Sequence, residues 1–240
     1  MVTVNPMNYT SRGASQGAFG ISRGRVSDAL WVAYRWMSVG LATTGLVALG
    51  IAHSPDAQQV LLGNRILFYA LLLGQLGIVV ALGSVVTRLG PTAAAAMFFA
   101  YAALTGVTFS TLFLVYTATS IASTFFVTAG AFAGLSVVGV TTRRDLSAVG
   151  RFGFFALIGV ILASIVNMFL HSTGLEWLIT VAGVLLFAGL TAYDTQRLKN
   201  LFENAPEGGN LPILGALTLY LDFINMFLFL LRLTGDRRRD

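Results

Sequence analysis

Two carboxylates, Asp194 in LFAGLTAYDTQRLK and Asp222 in LTLYLDFINMFLFLL, sit in segments that are otherwise apolar enough to cross a membrane. Placing an acidic side chain in the hydrocarbon slab costs roughly 2.5 to 3.5 kcal/mol on insertion scales, so such a residue is a functional-site candidate by default. Two chemistries are open to the pair. If the carboxylates share one site they cannot both ionise cheaply and they titrate as a coupled unit, which makes a pH sensor. With further oxygens beside them they would hold a hard cation such as calcium. The plainer readings are local. Asp194 pairs with Arg197 at the membrane surface, and Asp222 is protonated and hydrogen-bonded to Asn225.

The elements that must position these acids are helices in lipid. The chain is 56% hydrophobic and 10% charged, against about 25% charged for a soluble domain. Seven apolar runs are each long enough for a slab about 30 Å thick: Leu30–Ala52, Ile66–Val86, Thr92–Tyr116, Ile121–Thr141, Phe152–Leu170, Leu178–Thr195 and Leu211–Leu233. The chain is therefore expected to be all-α, one polytopic bundle of seven transmembrane helices. It divides into an N-terminal tail (1–29), the transmembrane domain (30–235) and a basic C-terminal tail (236–240). The seventh run holds thirteen Leu, Ile or Phe residues between Leu211 and Leu231. They favour insertion by about 6 kcal/mol, against roughly 3 for one ionised aspartate, so Asp222 can be carried in but must face protein or water.

On that run Thr218, Asp222 and Asn225 share a face. A short loop joins the sixth and seventh runs, which makes them antiparallel neighbours able to bring Asp194 to Asp222. Arg88 ends the second run on the side of Asp194. Its guanidinium is placed for a bidentate pair with a carboxylate that would hold a gate shut, or simply for anchoring that face. Gln75 and Asn167 are candidates for an interior polar path, or for ordinary interhelical hydrogen bonds. The small residues Gly130 and Gly134 in the fourth run are expected to pack inside the bundle. His53 and His171 are too isolated for a metal site. Cysteine is absent, which removes disulfides and thiol chemistry, and no nucleotide, hydrolase or zinc-protease motif is present, so an enzyme is not expected.

The net charge of +5 is explained by loops rather than by nucleic acid. Arg12, Arg23, Arg25, Arg88, Arg143, Arg144, Arg151, Arg197 and Lys199 flank one side of the runs. The other side carries Arg65, with His53, Asp56, His171 and Glu176. The positive-inside rule then puts the N-terminus in the cytoplasm. Seven spans place Arg237, Arg238 and Arg239 outside, against the rule. A six-span alternative makes the last run re-entrant.

The runs GLTAYDTQRLKN (Gly189–Asn200) and TLYLDFINMFLFLLRLTG (Thr218–Gly235), supported by Leu114–Phe132, Val140–Phe152 and Ser164–Leu170, resemble the Bax inhibitor-1 family in its bacterial YccA-like branch. The resemblance implies a seven-helix bundle with the last helix central, in the bacterial inner membrane. It implies a pH-sensitive calcium leak, with calcium or protons as the moving species and no resident cofactor. By position, Asp194 and Asp222 match the family's di-aspartyl sensor and Arg88 falls near its arginine latch. Some members carry a glutamate in the second helix, where this chain has only Gln75. The YccA-like branch also implies an alternative: a non-transporting modulator or substrate of a membrane-anchored AAA protease, with the polar N-terminal segment as a handle.

Overall fold

The computed structural model describes residues 17–85, 88–204 and 210–238. It is helical throughout the described residues, with no strand, and seven of its helical stretches are long and apolar enough to span a membrane. Among the described residues nine helices follow one another: α1 (Gly17–Ala52), α2 (Pro55–Gly63), α3 (Arg65–Val85), α4 (Pro91–Phe109), α5 (Leu112–Val115), α6 (Ala118–Thr141), α7 (Ser147–Leu170), α8 (Thr173–Asn204) and α9 (Leu211–Thr234).

The helices outrun the apolar segments that announce them, because a helix need not stop at the hydrocarbon boundary. α1 starts at Gly17 rather than at Leu30, and α8 continues past Thr195 to Asn204. The expected N-terminal tail is thus helical from Gly17, while residues 1–16 lie outside the described part. α2 lies between the first two spans, capped by the Ser54 hydroxyl, which accepts from Ala57 N, with Pro55 at its first position. There a missing N–H costs nothing. The third span is broken in two. Ser110 Oγ donates to Val107 O at 2.6 Å and Thr111 Oγ1 to Thr108 O at 2.7 Å, and such local bonds compete with the helical ladder.

α9 is the central element. It packs against α1, α4, α6 and α8, and 61% of its apolar window is buried, against 6% for the windows of α3 and α7. It runs unbroken from Leu211 to Thr234, so the re-entrant alternative does not describe this structure. The outside of the bundle is as apolar as its core: Ile66, Phe126 and Phe152 are 82%, 72% and 74% exposed. That is what a hydrocarbon solvent permits.

Gly130 and Gly134 correct an expectation. Both face outward with open space where a Cβ would stand. The close helix approaches use other glycines, notably Gly139 of α6, whose Cβ would run into the Ala192 carbonyl and lie 2.9 Å from Thr195 Cβ of α8.

The residues after α9 are held rather than loose. Thr117 N donates to Asp236 O at 3.1 Å and Arg238 N to Val115 O at 2.9 Å, around an antiparallel bridge between Tyr116 and Arg237. Asp236 N donates to Ser120 Oγ, and the Arg237 guanidinium lies 3.9 Å from Glu176. One of the arginines that oppose the positive-inside rule therefore has a carboxylate partner at its own end of the bundle.

A buried hydroxyl cluster ties three helices together near the bundle centre. Thr44 Oγ1 lies 2.6 Å from Tyr220 Oη and donates to Ala102 O. Tyr220 also bonds Thr105 and meets Tyr101 edge-on. Thr44→Val removes one hydrogen-bond partner from Tyr220 Oη and one from the Ala102 carbonyl. It is expected to cost about 1–3 kcal/mol, read as a lower thermal unfolding temperature of the purified protein in detergent.

Candidate functional site

The run Tyr193–Gln196 shows how one helix turn builds a site. Successive residues on a helix point about 100° apart, and four neighbours surround this part of α8. The Tyr193 ring covers Gly150 of α7, where any Cβ would collide with it. Asp194 turns to α9, and its carboxyl is within hydrogen-bonding range of Asp222. Thr195 meets Gly139 of α6, and its hydroxyl lies 3.3 Å from Tyr34 Oη of α1. Gln196 reaches the α6–α7 loop, accepting from Leu146 N at 2.9 Å and donating to Arg144 O at 2.9 Å. Lys199 then donates to Val140 O at 3.0 Å. The turn is a junction of four neighbouring helices and one loop, with a carboxylate aimed at the central helix.

The sequence expectation that Asp194 and Asp222 meet is what the structure displays. Both are buried, at 9% and 5% exposure. Two carboxylates at this separation repel unless a proton or a cation lies between them. Asp222 Oδ2 is buried and finds no donor among the described groups, and the same holds of Ser136 Oγ on α6. Asp194 also has Arg197 at 3.8 Å, with the arginine side chain 67% exposed and the aspartate side chain 12% exposed, so solvent screens this pair from the arginine's side.

The other sequence candidates stand apart from the acids. Arg88 is exposed and forms no ion pair with Asp194 or Asp222. The neighbouring Leu89 carbonyl accepts from Asn210 Nδ2 at the start of α9, and Asp222 lies about 18 Å further along that helix. In this conformation Arg88 is not a latch, because α3 ends too far along the bundle axis. Asn225 does not serve Asp222 either: its Nδ2 donates to Leu221 O at 2.8 Å, while Thr218 Oγ1 donates to Leu214 O at 3.1 Å. Gln75 ties α3 to α4 by donating to Leu104 O at 2.6 Å and Thr108 Oγ1 at 3.1 Å. Asn167 Oδ1 accepts from Ser172 N at 3.0 Å just beyond the end of α7, so it closes a helix end and lines no path. Each amide satisfies a backbone group, Gln75 across to α4 and Asn167 locally, as polar groups in lipid must.

The donor set suits a hard cation, though weakly. Two carboxylates and hydroxyl oxygens are the right ligand types for calcium, and an orphaned Asp222 oxygen is available. Among the described residues no group of three or more His, Cys, Asp or Glu side chains is assembled for a metal. A cation here would rely on two carboxylates, neutral oxygens and water. An apolar groove of about 970 Å³ between α1 and α6, floored by Phe223, Ile224 and Phe227, opens nearby. Its lining offers an ion almost no oxygen.

Ser136 was not singled out from the sequence, where it is one of many serines and threonines in apolar helices. Only the absence of a partner distinguishes it. The chain as a whole is similar to known proteins. A family model described as "Inhibitor of apoptosis-promoting Bax1" matches residues 27–239. Inner membrane protein YbhL of Escherichia coli strain K12 is 50% identical over 210 residues, which cover 85% of this chain and 90% of that protein. A Borreliella burgdorferi protein is 42% identical over 208 residues, covering 85% and 90% of the two chains, and a Deinococcus radiodurans protein is 44% identical over 207 residues, covering 85% and 88%. With its apolar helices and the inner-membrane relative, the chain is a multi-pass membrane protein of the bacterial inner membrane, and it belongs to the Bax inhibitor-1 family.

Proposed function

We propose that this protein is a pH-gated, calcium-permeable leak, non-enzymatic, with the Asp194–Asp222 pair as the element that senses protons. The observation that carries this reading is the meeting of two buried carboxyls, one on the most buried helix and one on the neighbour that joins it to the rest of the bundle. Protonation changes the repulsion within the pair, and with it the preferred spacing of α8 and α9. A gate of this kind shifts only by the difference in that interaction between its two states. The basic ends of the helices are placed on the cytoplasmic side, with the N-terminus there too.

The test is calcium release from loaded liposomes holding the purified protein, followed across pH. The leak is expected to change with pH, and a flat profile in the wild-type protein would end this reading. Arg197→Ala should alter the leak by about fivefold, as for an ion pair whose cation is screened by solvent. Arg88→Ala should leave it within about twofold, because Arg88 touches neither acid. A larger Arg88 effect would require a second conformation in which α3 slides toward the acids.

The alternative role, as modulator or substrate of a membrane-anchored AAA protease, draws on an N-terminal segment whose first 16 residues lie outside the described part. Deleting residues 2–20 and following protein half-life tests it. Unchanged turnover would remove its footing.

A further inference from the structure

Resting on the calcium leak proposed above, with the proton-sensing acid pair taken also as a stopping place for the calcium that passes, we propose that Ser136 Oγ is a third oxygen at that pair and helps set which cation it takes. Ser136 lies in α6 between Phe132 and Gly139, and all three occupy its buried face. One turn before it, Phe132 packs on Phe223, the residue after Asp222, with ring centroids 5.5 Å apart. One turn after it, Gly139 presses on Ala192 and Thr195, which bracket Asp194. Ser136 is thus held at the level where α8 and α9 bring their carboxyls together.

Its hydroxyl also behaves unlike its neighbours. Thr128 and Thr191 donate back to the carbonyls of Thr124 and Phe187, each at 2.7 Å, the usual refuge of a hydroxyl inside a helix. Ser136 Oγ makes no such bond, although Ser136 is only 6% exposed. The buried side-chain nitrogen and oxygen atoms without a partner among the described residues are therefore a hydroxyl on α6 and a carboxylate oxygen on α9. Buried polar groups without partners are costly, and each calls for an explanation. A single small ligand between Asp222 Oδ2, Ser136 Oγ and the Asp194 carboxylate answers for both. All three donors are hard oxygens, which favours calcium over thiophilic cations.

The chain has no cysteine, so a thiol placed at Ser136 is unique. The experiment measures calcium and cadmium binding to the full-length protein in nanodiscs by equilibrium dialysis. Ser136→Ala is expected to weaken calcium binding roughly tenfold, while Ser136→Thr keeps it. Ser136→Cys, close in size to serine, is expected to lose calcium affinity and to bind cadmium at least about tenfold more tightly than wild type. A purely structural serine would produce no such exchange. If Ser136→Ala binds calcium normally and Ser136→Cys gains no cadmium affinity, while Asp222→Asn loses calcium, Ser136 is not a ligand and the acid pair stands. If Asp222→Asn also binds calcium normally, the acid pair as a cation site fails together with Ser136.

Discussion

Asp222→Asn is expected to abolish the pH dependence of calcium leak while leaving the protein folded and inserted. The replacement keeps the shape of the side chain, removes its ability to ionise and puts an N–H donor in place of one carboxylate oxygen. Insertion of α9 is not at risk, since the amide costs less in hydrocarbon than a carboxylate does. Inside the bundle the new amide can donate to the Asp194 carboxyl, which lies within hydrogen-bonding range. The repulsion that a proton would relieve is gone. Coupling between such sites is typically 1–3 kcal/mol, so the ratio of leak between its pH extremes should fall from roughly 5- to 150-fold toward one. Asp194→Asn should do the same, and the double substitution should add nothing, because residues acting as one unit are not additive. Two partial and additive effects would mean that the acids titrate independently, and the pair would lose its role as sensor.

The second large effect is steric. Gly139→Ala should destabilise the bundle by about 1–3 kcal/mol or more, the range for overpacking a tight interior. The added methyl meets a backbone carbonyl, that of Ala192, as well as Thr195 Cβ at 2.9 Å. A carbonyl in a helix cannot step aside, so α6 and α8 must separate. Asp194 lies between these two residues, and the same movement should disturb its contact with Asp222 and alter the leak. Gly134→Ala is the control. Nothing lies within 4 Å of a Cβ there, and alanine is favoured over glycine in a helix interior by about 1 kcal/mol. Thermal unfolding in detergent separates the two cases. Equal losses at both positions would show that close packing at Gly139 is not the cause.

The helical architecture and the acids were legible before any coordinates. In lipid every backbone polar group must be satisfied within the segment, so a long apolar run with few charges can hardly be anything but a helix. A carboxylate inside such a run is expensive enough to stand out against a background of Leu, Phe and Ala. The same medium hides the rest. A soluble helix advertises its inner face by hydrophobic periodicity, whereas here Phe152 faces out at 74% exposure and Phe223 faces in at 2%. Helix faces are therefore unreadable from residue type. Gly134 and Gly139 look alike in sequence and differ entirely in surroundings.

Which polar residues reach the acids is equally a matter of three dimensions. Arg88, Gln75 and Asn167 have suitable chemistry and the wrong positions. Tyr193 to Gln196 owe their separate roles to the four neighbours that happen to surround that turn. Ser136 became visible only through a missing hydrogen bond, which is a property of its neighbours and not of the serine. The sequence by itself determined that this chain crosses a membrane as helices and carries two acids there, because hydrocarbon penalises unpaired backbone and buried charge so heavily. Only the tertiary structure decided which faces meet, because helix contacts in lipid are chosen by shape and by local hydrogen bonding, neither of which leaves a period in the sequence.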